Sequence, residues 1–296
     1  MTENRTSPSP PPAWDREALR APHARADKAA RVEAMFDAIA STYERVNTIG
    51  SLGRDAVWRR RAVAAANVGL ADVVLDVCCG TGDMLRAFAA ARPRPQQIIG
   101  VDFAAKMLAR GVCDGLGDKV RLIRGDALRL PLADESVDVV SCAFGVRNFQ
   151  DLQAGLGEMF RVMRPGGRVV ILEFALPEGG LLRWTYRLYC ERVLPRLATL
   201  ISRDRSGAYR YLPRSIQTFD RREVLARRLE QAGFSGVTAE GMNLGGVVLY
   251  RGEKPGPPSR RLSPDATAPA ARRRRSTAQA AREPGSRGTA SGDASL

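Results

Sequence analysis

An apolar strand running straight into a glycine turn constrains this chain more than any other feature: Leu75-Asp76-Val77-Cys78-Cys79-Gly80-Thr81-Gly82-Asp83. Gly80 and Gly82 let the backbone come close to a ligand, and residues 83–90 continue as a helix whose first N–H groups face the same pocket. Strand, turn and helix in this order open an α/β fold that binds a nucleotide-like ligand. The loop departs from the dinucleotide fingerprint in two places. Leu85 stands where a third glycine would pack helix on strand, and Asp83 stands where a pyrophosphate would be repelled. Carboxylates on both sides of the turn suit a cationic ligand instead.

The strand at 97–101 ends in Asp102, 20 residues beyond Gly82 and placed to accept from two ribose hydroxyls. A nucleoside with a positively charged tail satisfies both conditions, and S-adenosyl-L-methionine is such a ligand. The strand at 120–124 runs into Gly125-Asp126-Ala127, where Asp126 can accept from an adenine amine. The strand at 137–143 delivers Phe144-Gly145-Val146-Arg147-Asn148 to the rim where open α/β sheets hold ligands. Four strand ends therefore address one crevice, with Asp76, Gly80, Gly82, Asp102 and Asp126 as candidate cofactor positions.

Three- and four-residue spacing of Val32, Met35, Phe36, Ile39, Ala40, Tyr43 and Val46 predicts one amphipathic helix, and a second is predicted over 55–67. Both precede the first strand, so residues 28–70 read as a helical cap over the cofactor. Downstream come a helix at 151–163, a turn at Arg164-Pro165-Gly166-Gly167, a fifth strand at 168–174, and a hairpin from 236–242 and 246–251. Residues 176–219 interrupt the alternation as a lid insertion. There Leu181, Leu182, Trp184, Leu188, Tyr189, Val193 and Leu194 mix with Arg183, Arg187, Arg192 and Arg196, a pattern open to both a lipid boundary and ordinary packing on the sheet; Pro195 ends or kinks the helix.

The domain is expected to span residues 28–253, between a proline-containing tail at 1–27 and a basic tail at 254–296 that holds Arg272-Arg273-Arg274-Arg275. The net charge of +14 owes +6 to the second tail, which carries nine Lys or Arg and three Asp or Glu. No aromatic residues interleave with the tail arginines, which argues against nucleic acid as a partner and leaves a solvated tail or anionic headgroups. Neither a signal peptide nor an apolar run of about 20 residues is evident, so a cytoplasmic protein is expected. The five cysteines lack paired spacing, and the single histidine, His23, falls in the tail, so metal chemistry is not expected; Cys78 and Cys79 read as small residues at a crowded strand end. A homo-oligomer is compatible with the sequence.

These motifs resemble the ubiquinone and menaquinone biosynthesis C-methyltransferases, over nearly all of residues 31–254. The resemblance rests on Met35-Phe36-Asp37, Ile39-Ala40, Tyr43, Asn47, Ser51-Leu52-Gly53, Trp58-Arg59, the loop from Asp76 to Asp83, Phe144 to Asn148, Arg164 to Gly167, Glu173-Phe174, and Tyr211-Leu212-Pro213 with Ser215-Ile216. It implies a class I S-adenosylmethionine-dependent methyltransferase with a Rossmann-like seven-stranded sheet and helices on both faces. Thr81, Asp102, Asp126 and Ala127 would contact the cofactor; Ala143 stands where the family often has serine, with Ser141 two positions earlier. The Cys78-Cys79 pair is closer to the menaquinone type. The implied substrate is a polyprenyl quinol, demethylmenaquinol or else a 2-methoxy-6-polyprenyl-1,4-benzoquinol, methylated peripherally at the inner face of the cell membrane. Arg147 and Asn148 are the candidates for stabilising a quinolate oxyanion, with Asp151 or Tyr43 relaying the proton. An RNA or protein methyltransferase would need another motif where Phe144 to Asn148 stands.

Overall fold

Runs of aliphatic and β-branched residues form five parallel strands, β1 (Val73–Val77), β2 (Gln97–Asp102), β3 (Val120–Arg124), β4 (Val137–Ala143) and β5 (Met163–Phe174). They belong to a computed structural model that describes residues 13–111, 117–189, 192 and 206–257. A C-terminal hairpin, β6 (Ser235–Met242) and β7 (Val247–Glu253), adds antiparallel to β5, giving seven strands in the order β3-β2-β1-β4-β5-β7-β6. The order reverses between β1 and β4, and that is where an open α/β sheet leaves its crevice.

Both faces of the sheet are covered, as the continuous burial of β1, β4 and β5 requires. Helices α1 (Lys28–Ile39), α2 (Tyr43–Gly50) and α3 (Asp55–Ala66) precede the sheet, and α4 (Asp83–Ala89) and α5 (Ala105–Leu108) follow β1 and β2. Trp58, Ala62, Leu85 and Phe88 close one face, while α6 (Leu152–Val162) brings Leu156 and Met159 to the other. Then come α7 (Gly180–Leu188), α8 (Ala208–Thr218) and α9 (Arg222–Gln231), the last burying Leu225 and Leu229.

Three local expectations are corrected. The helix expected to run through 32–46 breaks after Ile39, because Thr42 turns its N–H and its hydroxyl back onto the Ile39 carbonyl, at 2.9 and 3.3 Å. The Arg164 to Gly167 stretch is an irregular entry into β5: Met163 pairs with Val137, and the ladder resumes at Val139 and Arg168. The N-terminal tail is shorter than 1–27. Trp14 is 1 % exposed, stacks on Tyr211 at 4.3 Å between ring centroids, and donates its backbone N–H to Ser206 O at 3.0 Å. Its large apolar ring outweighs the polar, proline-rich composition around it. His23 is likewise held, with Nε2 2.9 Å from Ser215 O, and burial lowers its pKa. At the other end Lys254 exchanges backbone hydrogen bonds with Gly166 and Gly167. The arginine run at 272–275, Cys113, Cys190 and the part of the lid insertion from Val193 to Arg196 lie outside the described residues.

Candidate active site

The turn after β1 is shaped by backbone that only a few residues tolerate. Cys78, Gly80 and Gly82 have φ of 57°, 55° and 89°. Gly80 donates its N–H to Asp102 Oδ2 at 2.8 Å and Ala104 donates to Oδ1 at 2.9 Å, so the carboxylate at the end of β2 is fixed beside the turn. Burial pushes the Asp102 carboxyl up to about 6, against the pull of these N–H groups. Asp76, inside β1 and 1 % exposed, is pushed up to about 7 by burial, and Ser141 donates to its Oδ1 at 2.5 Å. The hydroxyl of Ser141 is thus committed to Asp76, while Ala143 closes β4. Thr81 Oγ1 is buried with no protein partner.

Crowding at the strand ends accounts for the small residues there. A Cβ on Gly145 would lie 2.7 Å from Cys78 Cβ and 2.7 Å from Cys142 Sγ, and one on Gly100 would lie 2.8 Å from Cys79 Sγ. The contact with Cys142 and burial push the Cys78 thiol well up, which keeps it protonated and inert.

Two hollows flank this turn region. A recess of about 50 Å³ is lined by Cys78, Asp102, Phe103, Asp126, Ala127 and Asn148, so three candidate cofactor residues share it. Asp126 is exposed and accepts from Leu128 N at 2.9 Å. A cavity of about 300 Å³ lies under the N-terminal helices, walled by Phe36, Tyr43, Trp58, Phe144, Phe174 and Tyr211, with Arg59 and Arg147 among them. Consecutive residues of the Val146–Asn148 turn thus serve different hollows, Arg147 the large cavity and Asn148 the recess.

Arg147 donates from Nη1 to Glu173 Oε1 at 2.7 Å and to Phe144 O at 2.6 Å. Its guanidinium carbon lies 5.4 Å from the centre of the Phe174 ring. Burial works against the cation, and Glu173 more than restores it, so its pKa is raised. Asn148 accepts from the Tyr211 hydroxyl at 2.9 Å. Tyr43 packs edge-on against Phe36, and burial raises its hydroxyl pKa. Asp151 is removed from the chemistry: it is exposed, lines neither hollow, and caps α6 by accepting from Ala154 N at 3.0 Å.

Two participants had no role in the sequence reading. Glu173 follows Val169-Val170-Ile171-Leu172 in a buried strand, and a carboxylate there needs a buried cation, which was the available signal. Arg59 pairs with Asp55 at 2.6 Å and Asp83 at 3.0 Å, and its guanidinium carbon sits 5.9 Å from the Phe144 ring centre; only folding brings α3 to the glycine turn.

This sheet order, with a carboxylate closing β2 and a glycine turn after β1, is that of the class I methyltransferases. Solved structures of the same fold include the putative methyltransferase bound to the Trm112 activator of Haloferax volcanii, at TM-score 0.55 and 18 % identity, covering 75 % of this chain and 98 % of that one. Another is a Thermotoga maritima S-adenosylmethionine-dependent methyltransferase, at TM-score 0.51 and 20 % identity, covering 74 % and 98 %. The chain belongs to the ubiE/COQ5 methyltransferase family, whose model matches residues 24–254. Proteins named demethylmenaquinone methyltransferase from Deinococcus radiodurans and Thermus thermophilus are each 43 % identical to it, covering 77 % and 75 % of this chain and 91 % and 100 % of their own lengths. The protein is therefore an S-adenosylmethionine-dependent methyltransferase. Its own residues fit that cofactor: Thr81 Oγ1 is a buried oxygen without a protein partner, Asp102 is a carboxylate held at the recess, and Gly80 and Gly82 hold the left-handed backbone of the turn.

Proposed function

We propose that this methyltransferase methylates a ring carbon of a polyprenylated demethylmenaquinol to give menaquinol, acting peripherally at a membrane surface. The names of its relatives support the substrate, and the observation that carries the reading lies in the cavity. Arg59 and Arg147, in a wall that is mostly aromatic and aliphatic but also holds Asn47, Ser51, Arg54, Asp55 and Asn243, each keep a buried Nε–H with no protein acceptor. An aromatic ring bearing oxygens fits such a wall, since its faces meet apolar side chains and its oxygens meet the two donors.

In this reading Asp102 holds the cofactor ribose, Asp126 and Ala127 line the adenine side, and Thr81 Oγ1 takes a cofactor contact. Bound S-adenosylmethionine supplies an electrophilic methyl group on a sulfonium. The chain's part is to make the substrate carbon nucleophilic. Loss of a hydroquinol proton to solvent leaves a quinolate whose oxygen feeds electron density to the ring carbon; once that carbon is methylated, its own proton passes to solvent and the aromatic ring is restored. The Nε–H donors of Arg59 and Arg147 favour the quinolate. Glu173 holds Arg147 in place and Phe144 O fixes its fork, so the donors are set before substrate arrives. Tyr43 donates from its protonated hydroxyl.

A polyprenyl tail keeps the quinol in a bilayer, so the enzyme has to meet it there. No helix among the described residues is long and apolar enough to cross a membrane. The test is turnover of chemically reduced demethylmenaquinone by the purified chain, followed by mass spectrometry. Gain of one methyl on the naphthoquinol ring is expected. Methylation of the benzoquinol alone would reassign the substrate to the ubiquinone pathway.

A further inference from the structure

The large cavity opens through a rim that is apolar where a water-facing surface is ordinarily polar. Leu52, in the loop between α2 and α3, is 85 % exposed although it lines the cavity, and Leu244, at the tip of the β6–β7 hairpin, is 75 % exposed between the lining residues Asn243 and Gly246. Both sit in left-handed backbone, at φ of 54° and 57°, a conformation that leucine adopts at a cost. Trp184 on α7 is 61 % exposed and Ile49 on α2 is 43 % exposed. Contacts tie these segments together. The Tyr189 hydroxyl, just after α7, donates to Gly50 O at 3.0 Å, and a Cβ on Gly245 would lie 3.5 Å from Pro177 Cα. Arg45, Arg54 and Arg183 are exposed on the same segments.

We infer that this rim, centred on Ile49, Leu52, Trp184 and Leu244, docks the enzyme on an anionic bilayer with the cavity mouth toward lipid. The choice of a bilayer rests on the polyprenyl quinol as substrate. Apolar tips from three separate segments enter the acyl boundary while arginines between them meet headgroups. A second copy of the chain seated on the rim would instead close the cavity to its substrate. The surface thus includes two loops outside the lid insertion, and the tail of the quinol leaves the cavity directly into lipid.

The experiment compares the full chain with the double variant Ile49→Gln, Leu244→Asn, neither of which lines the cavity; asparagine also accepts left-handed backbone better than leucine does. Flotation with phosphatidylcholine vesicles, with and without phosphatidylglycerol, should show the full chain binding the anionic vesicles and the variant partitioning at least tenfold less. The variant should keep its affinity for S-adenosylmethionine and its turnover of a short-chain soluble quinol, and lose turnover of the long-chain quinol in vesicles. Equal partitioning of the two proteins overturns the proposal, since both carry the same basic tail. So does a full chain that sediments as a dimer which the variant dissolves. A chain that floats normally but methylates neither quinol leaves the rim standing and overturns the substrate.

Discussion

Arg147 and Glu173 face each other across 2.7 Å, and both side chains are buried, at 6 % and 1 % exposed. The pair is a fixed part of the cavity wall, and it leaves the Arg147 Nε–H without a protein acceptor. The Glu173 carboxylate also receives the backbone N–H of Arg147 at 3.2 Å and that of Phe174 at 2.8 Å, so strand β5 and the Val146–Asn148 turn are locked through one group.

Removing one partner strands the other. Glu173→Gln should destabilise the protein by about 3–5 kcal/mol, the usual cost of an unpaired buried charge. Urea denaturation of the variant checks this, and a loss of under about 1 kcal/mol would show that water reaches the site.

Asp102 should govern cofactor affinity, because its carboxylate is held at the recess by two backbone N–H groups. Asp102→Ala should weaken S-adenosylmethionine binding by about 1.5–3 kcal/mol, the range for hydrogen bonds to a charged group. Because burial raises this carboxyl to about 6, wild-type affinity should fall as pH drops through that value and the acceptor becomes protonated. Calorimetry across this range tests both statements, and a flat profile with wild-type affinity in the variant would remove Asp102 from the cofactor site.

Asp76 bears on stability in the opposite sense from a salt-bridged carboxylate. Its folded pKa of about 7 lies above the ordinary 3.8, so its contribution is fully present below 3.8 and is lost as pH rises through about 7. Asp76→Asn keeps an acceptor for Ser141 without the charge. The variant should be more stable than wild type near pH 8, on the order of 4 kcal/mol, and the difference should vanish toward acid pH. Thermal melts at several pH values measure it, and a pH-independent difference would rule out the ionisation.

Trp14 lies upstream of the residues that match the family, yet it packs on Tyr211, whose hydroxyl donates to Asn148. Trp14→Ala should cost about 3–5 kcal/mol, as for other large buried aromatics. Where the variant stays folded, turnover of a short-chain quinol should drop with affinity for S-adenosylmethionine kept. Unchanged melting and turnover would make the segment dispensable.

Local pattern made the sheet legible. Apolar runs bounded by glycine, proline and acidic residues located β1 to β4, and the glycine turn with Asp102 pointed to the cofactor before any contact was known. The same kind of reading failed where distant contacts decide. Thr42 breaks a helix that spacing alone would continue, Asp151 has the right charge and the wrong place, and Trp14 looked like part of a tail.

What the sequence determined by itself was therefore the succession of strands, the helices that begin at Asp55, Asp83 and Leu152, and the residue types at strand ends, because hydrophobic period and turn chemistry act over a few neighbours; the helices at Ala105–Leu108, Ala208–Thr218 and Arg222–Gln231 were not read from it. Which charges meet was left to the tertiary structure. Arg147 finds Glu173 26 residues away and Arg86 reaches Glu44 over 42, so both pairings depend on the sheet being assembled. Burial then raises Asp76 and Asp102, and only the packed fold removes enough water to do so.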